Sequence, residues 1–194
     1  MSSARPETRA TWRQAALGAG GFVLLIWAIE IVDAAAANRL DQYGVRPREA
    51  EGLLGILFAP LLHAGWDHLA ANTVPALVLL FLVLVSGAAH GLLVTAVIWV
   101  VGGLGVWLVA PDNTVHLGAS VLIFGWLVYL LARGFVTGRL RDIALSVLLF
   151  LLYGGVLLGV LPGQPGVSWQ GHLFGALGGA LAAYSLSDRE SRRS

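Results

Sequence analysis

Charged positions along the chain are sparse and unevenly spaced, and the gaps between them mark out helices. A stretch of 44 residues without a formal charge separates Asp67 from Asp112, and another of 45 separates Asp142 from Asp188. About 20 apolar residues cross a bilayer as a helix, so each stretch holds two spans. The first breaks at Ser86-Gly87-Ala88-Ala89-His90-Gly91 and the second at Pro162-Gly163-Gln164-Pro165-Gly166, both turn compositions. The 20 uncharged residues between Asp112 and Arg133 supply a further helix. So does the apolar run from Gln14 to Ile29, where Glu30 and Asp33 mark the exit from hydrocarbon. The pattern predicts six spans, near residues 14–33, 68–86, 91–109, 117–132, 143–161 and 170–187.

Composition agrees and narrows the class. Of 194 residues, 57% are hydrophobic and 12% charged, against roughly 25% charged in a soluble domain. A soluble globule is excluded. There is no cysteine, which removes disulfides, thiol nucleophiles and thiolate metal sites. A net charge of +1 gives no electrostatic case for nucleic-acid binding. All basic residues are arginine. Arg5, Arg9 and Arg13 precede the first span, Arg133, Arg139 and Arg141 lie between the fourth and fifth, and Arg189, Arg192 and Arg193 follow the sixth. With six spans these nine share one side, and only Arg39, Arg46 and Arg48 fall on the other. The positive-inside rule puts both termini in the cytoplasm. The expected organisation is a cytoplasmic tail over 1–13, one six-span membrane domain over 14–187 and a cytoplasmic tail over 188–194. No small-residue cleavage site follows the first span, so it is expected to be retained. The Arg-only, Ala/Gly-rich usage hints at a GC-rich bacterial source, whose plasma (inner) membrane would hold the protein.

Polar groups inside apolar spans are costly, so their placement points to function. His68 and Asn72 enter the second span, Gly118-Ala119-Ser120 the fourth and Gly171-His172 the sixth. All three spans begin on the outer face, so topology alone brings His68, Asn72, Ser120 and His172 to one depth. His68 and Asn72 are four apart and share a helix face. His172, Gly175 and Gly179 form a seam on which another helix can approach closely. If that helix is the fourth span, with Gly118 and Gly125, His172 reaches the Ser120 hydroxyl. A serine is a poor nucleophile until a base takes its proton, and imidazole is suited to that. Ser120 and His172 would form a dyad, with no acid positioned to complete a triad. Helix N-terminal N–H groups at Ser120, the His68 ring and the Asn72 amide are the available oxyanion donors. The competing structural roles are a Ser120 bond to a carbonyl one turn back and interhelical bonds by His68 and Asn72. His63 is expected to fix a loop, His116 to shape the loop above the site, and His90 to be solvated on the cytoplasmic side. Glu30, Trp27 and the other tryptophans are read as interfacial anchors. The His63–His68 spacing is not that of a zinc protease, and neither a metal nor another cofactor is expected.

These residues resemble the rhomboid intramembrane proteases over roughly Gly52 to Leu186. The family's His-x4-His-x3-Asn signature is matched by His63, His68 and Asn72, its Gly-x-Ser motif by Gly118 and Ser120, and its His-x-x-Gly-x-x-x-Gly by His172, Gly175 and Gly179. The resemblance implies an all-α six-helix membrane bundle with Ser120 as nucleophile and His172 as base. It also implies an oxyanion hole of Ser120 N–H, His68 and Asn72, with single-span membrane proteins as substrates cleaved near their outer ends, without metal or ATP. Two departures stand out. Val121 replaces the family's usual glycine after the nucleophile, where it could narrow the approach to Ser120. The first loop, 34–60, lacks the Trp-Arg pair of many bacterial members; Leu53, Leu54, Ile56, Leu57 and Phe58 are its expected apolar anchor.

A hydrolytic site needs water, so an outward-opening cavity ringed by His63, His68, Asn72, Ser120 and His172 is expected, under a movable 162–168 lid with Trp169 as its plug. The alternative reading is a catalytically silent rhomboid-like protein that binds membrane clients. A channel or transporter would need polar groups through both leaflets, and the inner halves of the spans read as nearly pure Leu, Val, Ala and Gly. Nothing in the sequence sets an oligomeric state.

Overall fold

The computed structural model describes residues 12–191, with side chains through Leu186. The tails at 1–11 and 192–194 lie outside the described residues, and so do the side chains of Arg5, Arg9, Arg189, Arg192 and Arg193 on which the orientation partly rests. Among the described residues seven α-helices follow one another: α1 (Trp12–Ala35), α2 (Gly52–Phe58), α3 (Trp66–Val85), α4 (Ala88–Val109), α5 (Ser120–Thr137), α6 (Leu140–Tyr153) and α7 (Trp169–Ser191). Three 3-10 segments, Leu40–Tyr43, Ala59–Leu61 and Gly154–Val160, extend or join them. The described residues contain no β-strand, only one antiparallel bridge between Val45 and His116. The protein is an all-helical membrane bundle.

Among the described residues five segments are long and apolar enough to span a bilayer: α1, α3, α4, α5 and α6 with its 3-10 extension. The sixth expected span, α7, has the length, at 23 residues, but not the apolarity, because Gln170, His172 and four glycines take places that leucine fills elsewhere. Its position in the bundle accounts for this. α7 packs chiefly against α5 and α4 and faces protein more than lipid. Between helices in a bilayer the gain comes from close packing rather than from leaving water, so small residues outperform large ones there. A Cβ at Gly175 would run into the Val121 carbonyl oxygen, and one at Gly179 into the Gly125 carbonyl oxygen. The two backbones therefore touch along a seam that only glycine permits.

α5 is the other central helix. Its span is 56% buried, against 11% for the α6 segment, and Trp126 and Tyr129 are wholly enclosed. α1 lies on α3, and α6 lies on α5. α2 packs on α4 through Ile56, which presses on Gly103, while Leu53, Leu54, Leu57 and Phe58 stay exposed. The apolar anchor of the first loop is thus four residues, and Ile56 belongs to the interior, because a helix turns one residue in each set inward.

Other local expectations are corrected. Trp126 is a core residue whose Nε1–H donates to Thr95 Oγ1 at 3.0 Å, and Glu30 is buried against the bundle. His90 is not simply solvated: its Nε2 lies 2.8 Å from the Tyr129 hydroxyl. α5, the fourth expected span, runs to Thr137 instead of stopping before Arg133. It can do so because the Arg133 guanidinium is held inside by Asp142 at 3.5 Å and by the Ser86 hydroxyl at 2.6 Å. Arg48, read only as one loop charge among several, has its guanidinium on the Leu108 and Ala110 carbonyls and on Asp112. It thereby closes the C-terminus of α4, where carbonyls lack intrahelical partners.

Candidate active site

Ser120 is the first residue of α5, and the two residues before it are pinned from outside the helix. Gly118 N–H donates to the Ala59 carbonyl at 2.8 Å, and Ala119 N–H donates to His63 Nε2 at 3.3 Å. First-turn N–H groups have no acceptor within their own helix. With those of Gly118 and Ala119 engaged, the next in line is that of Ser120 itself.

The hydroxyl of Ser120 meets His172, with Oγ 3.0 Å from Nε2. The other ring nitrogen, Nδ1, lies 2.9 Å from the Gly159 carbonyl. A carbonyl can only accept, so Nδ1 carries the proton and the lone pair on Nε2 faces the serine. Among the described residues no carboxylate takes part in fixing this tautomer. Phe124 stacks on the imidazole with centroids 4.0 Å apart and planes 8° from parallel. It stands four residues after Ser120, on the same face of α5, a spacing that could have singled it out. The Gly159 carbonyl, a main-chain group in a 3-10 segment, carries no sequence signal at all.

His68 lies on the other side of Ser120. Its Nδ1 accepts from Ala64 N–H at 3.4 Å, which leaves Nε2 as the protonated, donating nitrogen of the neutral ring. Gly118 has φ of +121°, and a Cβ there would stand 2.9 Å from His68 Nε2 and 3.7 Å from Ser120 Oγ. The space a side chain would fill is therefore the space the two polar groups face. Gly118→Ala is expected to abolish activity while the dyad residues remain, because its methyl occupies that volume and its backbone is strained at positive φ. A cleavage assay beside a thermal melt checks this, and wild-type turnover in the variant would refute it.

Asn72 is buried, but its Nδ2–H donates to the His68 carbonyl one turn back at 2.8 Å. Among the described residues no hydrogen bond joins it to Ser120 or His172. His63 is almost fully enclosed, edge-on to His68 at 5.2 Å, and among the described residues its Nδ1 has no hydrogen-bond partner. Burial, helped by the neighbouring His68, lowers its pKa to about 4. The ring stays neutral and can accept the Ala119 N–H throughout the physiological range. In the unfolded chain His63 protonates near pH 6.5, in the folded chain only near 4, so stability falls as pH drops through this window and the loss levels off below it. His63→Gln is expected to flatten that fall in a series of melts between pH 7 and 4; an unchanged slope would assign it to other groups.

His116 ties the 110–119 loop to α7. Thr114 Oγ1 donates to the Pro111 carbonyl at 2.6 Å and so must accept from His116 Nε2–H at 2.8 Å. His116 Nδ1 then accepts from the Ser168 hydroxyl at 2.7 Å, and Ser168 Oγ caps α7 by accepting Gly171 N–H at 3.2 Å. Burial lowers the pKa of His116, in keeping with this neutral arrangement. The base of the expected 162–168 lid is thus fastened to the loop before Ser120, while residues 162–166 are exposed.

A cavity of about 30 Å³ adjoins Ser120, with Gly118, Val121, His116 and Ser168 in its wall, enough for one or two waters. Of the ring expected from the sequence, only Ser120 lines it; the rest of the lining includes Ile56 of α2 and Gly102 and Gly103 of α4. Val121 leans on Gly102, and the Ser120–His172 hydrogen bond forms beside it.

Comparison with known proteins bears on this geometry. The rhomboid domain model matches residues 50–189. The chain belongs to the rhomboid family. Similar proteins include an uncharacterized protein of Mycobacterium tuberculosis, 48% identical over 88% of this chain and 75% of the relative, and one of Mycobacterium leprae, 44% identical over 97% and 79%. A third, of Bacillus subtilis, bears the name "Putative rhomboid protease YdcA" and is 33% identical over 69% of this chain and 67% of its own length. No solved structure matches. The rhomboid match spans α2 to α7 and omits α1, the helix that supplies none of the candidate site residues.

Proposed function

We propose that the protein is an intramembrane serine endopeptidase that cleaves single-span membrane proteins near the outer membrane boundary. The observation that carries the reading is the Ser120–His172 hydrogen bond with the imidazole proton held on Nδ1 by the Gly159 carbonyl, in a chain of the rhomboid family. His172 Nε2 takes the hydroxyl proton as Ser120 Oγ attacks the scissile carbonyl. The oxyanion is met by Ser120 N–H and His68 Nε2–H, with Asn72 holding the His68 turn and offering its remaining N–H. His172 then passes its proton to the leaving amine, and water, activated by the same ring, hydrolyses the acyl-enzyme. Gly171, Gly175 and Gly179 shape α7 so that His172 stands at this height, and His63 and Gly118 hold the nucleophile loop. In this reading the domain spans the plasma membrane of a bacterium six times, with tails 1–13 and 188–194 in the cytoplasm and the dyad at the opposite boundary. Transmembrane substrates and the bilayer are its partners, with no nucleic acid, metal or other cofactor required.

The test is covalent labelling. A fluorophosphonate probe is expected to modify Ser120 in the wild type, located by peptide mass spectrometry, and to leave His172→Ala unlabelled. A wild-type protein that folds but is not labelled would sink the enzymatic reading and leave a client-binding role.

A further inference from the structure

The inner halves of the spans are not uniformly apolar, as their composition suggested. At the end of α5 away from Ser120, about 20 Å along the helix, Arg133 and Asp142 are both buried, with side chains 6% exposed. Arg133 Nη1 reaches the Ser86 and Tyr129 hydroxyls, Asp142 accepts from Thr137 at 2.9 Å, and Arg141 approaches Asp142 at 3.5 Å from outside. Each polar residue sits at a span end or alone in its helix, so none disturbs the hydropathy of its own segment. Only the fold gathers them.

Beside them is a cavity of about 190 Å³ between α1, α3, α5 and α6, far above the roughly 10–15 Å³ that one water needs. Its lining is mixed: Ser86, Arg133, Arg141 and Asp142 are polar, and the remainder, with Trp12 and Leu145, is apolar. Trp12 and Arg141, about three-quarters exposed, stand at its rim. Two guanidinium groups and one carboxylate line it. A buried Arg133–Asp142 pair is balanced by itself; the second arginine and the half-apolar void are surplus to that pairing. The combination fits an anionic group with several acceptor oxygens and an apolar remainder, located where a span meets the membrane surface.

We propose that this cavity binds the phosphodiester of an anionic membrane phospholipid, seated between Arg133 and Arg141 with Ser86 as a further donor. The glycerol and acyl chains leave over Trp12 and Leu145. Guanidinium groups suit phosphate oxygens by geometry as well as charge, and basic pockets between spans at a membrane surface are fitted to lipid headgroups. The site is independent of the dyad, so its test reads binding rather than proteolysis.

Full-length protein in neutral detergent is melted with added phosphatidylglycerol, with phosphatidylcholine and with inorganic phosphate, and native mass spectrometry records retained lipid. Phosphatidylglycerol is expected to raise the melting temperature by several degrees more than phosphatidylcholine and to remain bound after detergent release, while inorganic phosphate does neither. Arg141→Gln, at an exposed position, and Leu145→Trp, which fills the void without changing charge, are each expected to remove most of that increment; circular dichroism confirms that both fold. An increment equally given by inorganic phosphate would assign the site to free phosphate and overturn the lipid. No increment in the wild type, or a full increment in both variants, would overturn the site and leave a water-filled void.

Discussion

Ser120→Ala is expected to lower cleavage of a single-span substrate by at least about three orders of magnitude, to background, while the protein keeps its fold. The size of the loss follows from chemistry. Without Oγ there is nothing for the His172 lone pair to activate, and removing the nucleophile of such a unit costs about as much as removing the whole unit. The preservation of the fold follows from packing. The hydroxyl is one atom at a helix start, its single hydrogen bond is worth about 1 kcal/mol, and His172 keeps its Gly159 bond and its stack on Phe124. His172→Ala is expected to be as inactive but less stable, since it empties the space under Phe124 and leaves the Gly159 carbonyl without its donor. Cleavage of a tagged substrate in liposomes, read beside thermal melts of all three proteins, checks both statements. Wild-type turnover by Ser120→Ala would overturn the mechanism.

Gly175→Ala is expected to inactivate the protein with every polar residue of the site intact. Its methyl would occupy the position of the Val121 carbonyl oxygen, a main-chain atom that no side-chain rotation can clear, so α7 must move off α5. His172 stands one turn before Gly175 and Ser120 one residue before Val121, so the displaced contact is next to the dyad. Misplacement of about 1 Å costs reactions of this kind on the order of 10²-fold. The variant is expected to lose at least that much turnover and to melt earlier than the wild type. Gly178→Ala, at a looser contact with α4, is expected to lose less on both measures. Equal activity in Gly175→Ala and the wild type would show that the seam does not set the position of the base.

Much of the site was legible because membrane proteins punish stray polarity. Ser120, His68, Asn72 and His172 stand out in apolar spans, and span order alone puts them at one depth. The i, i+4 spacing placed His68 and Asn72 on one face, but not the use to which Asn72 puts its amide, which is a bond to its own helix. His63 could be read as a loop-fixing residue, whereas its partner, the Ala119 main chain, could not. The apolar face of α2 was visible as a run of five side chains, and which one of them turns inward was decided by the glycine opposite, on α4.

The limits of reading have a common cause. Hydropathy averages over a window, so it reports what a helix offers to lipid and misses what a helix hides among its neighbours. For that reason α7 reads as the weakest span although it lies at the centre, and Arg133 reads as the end of a helix although it is buried within one. Residue types, their spacing and the order of the spans determined that this is a helical membrane protein of the rhomboid family, and which side chains are the candidates for its chemistry. The tertiary structure alone decided that a main-chain carbonyl at Gly159 sets the His172 tautomer, that His68 turns its donating nitrogen to the space beside Gly118, and that an arginine-lined cavity opens at the far end of the bundle. Those three features depend on backbone groups and on distances between helices, and neither is written in the identity of any single residue.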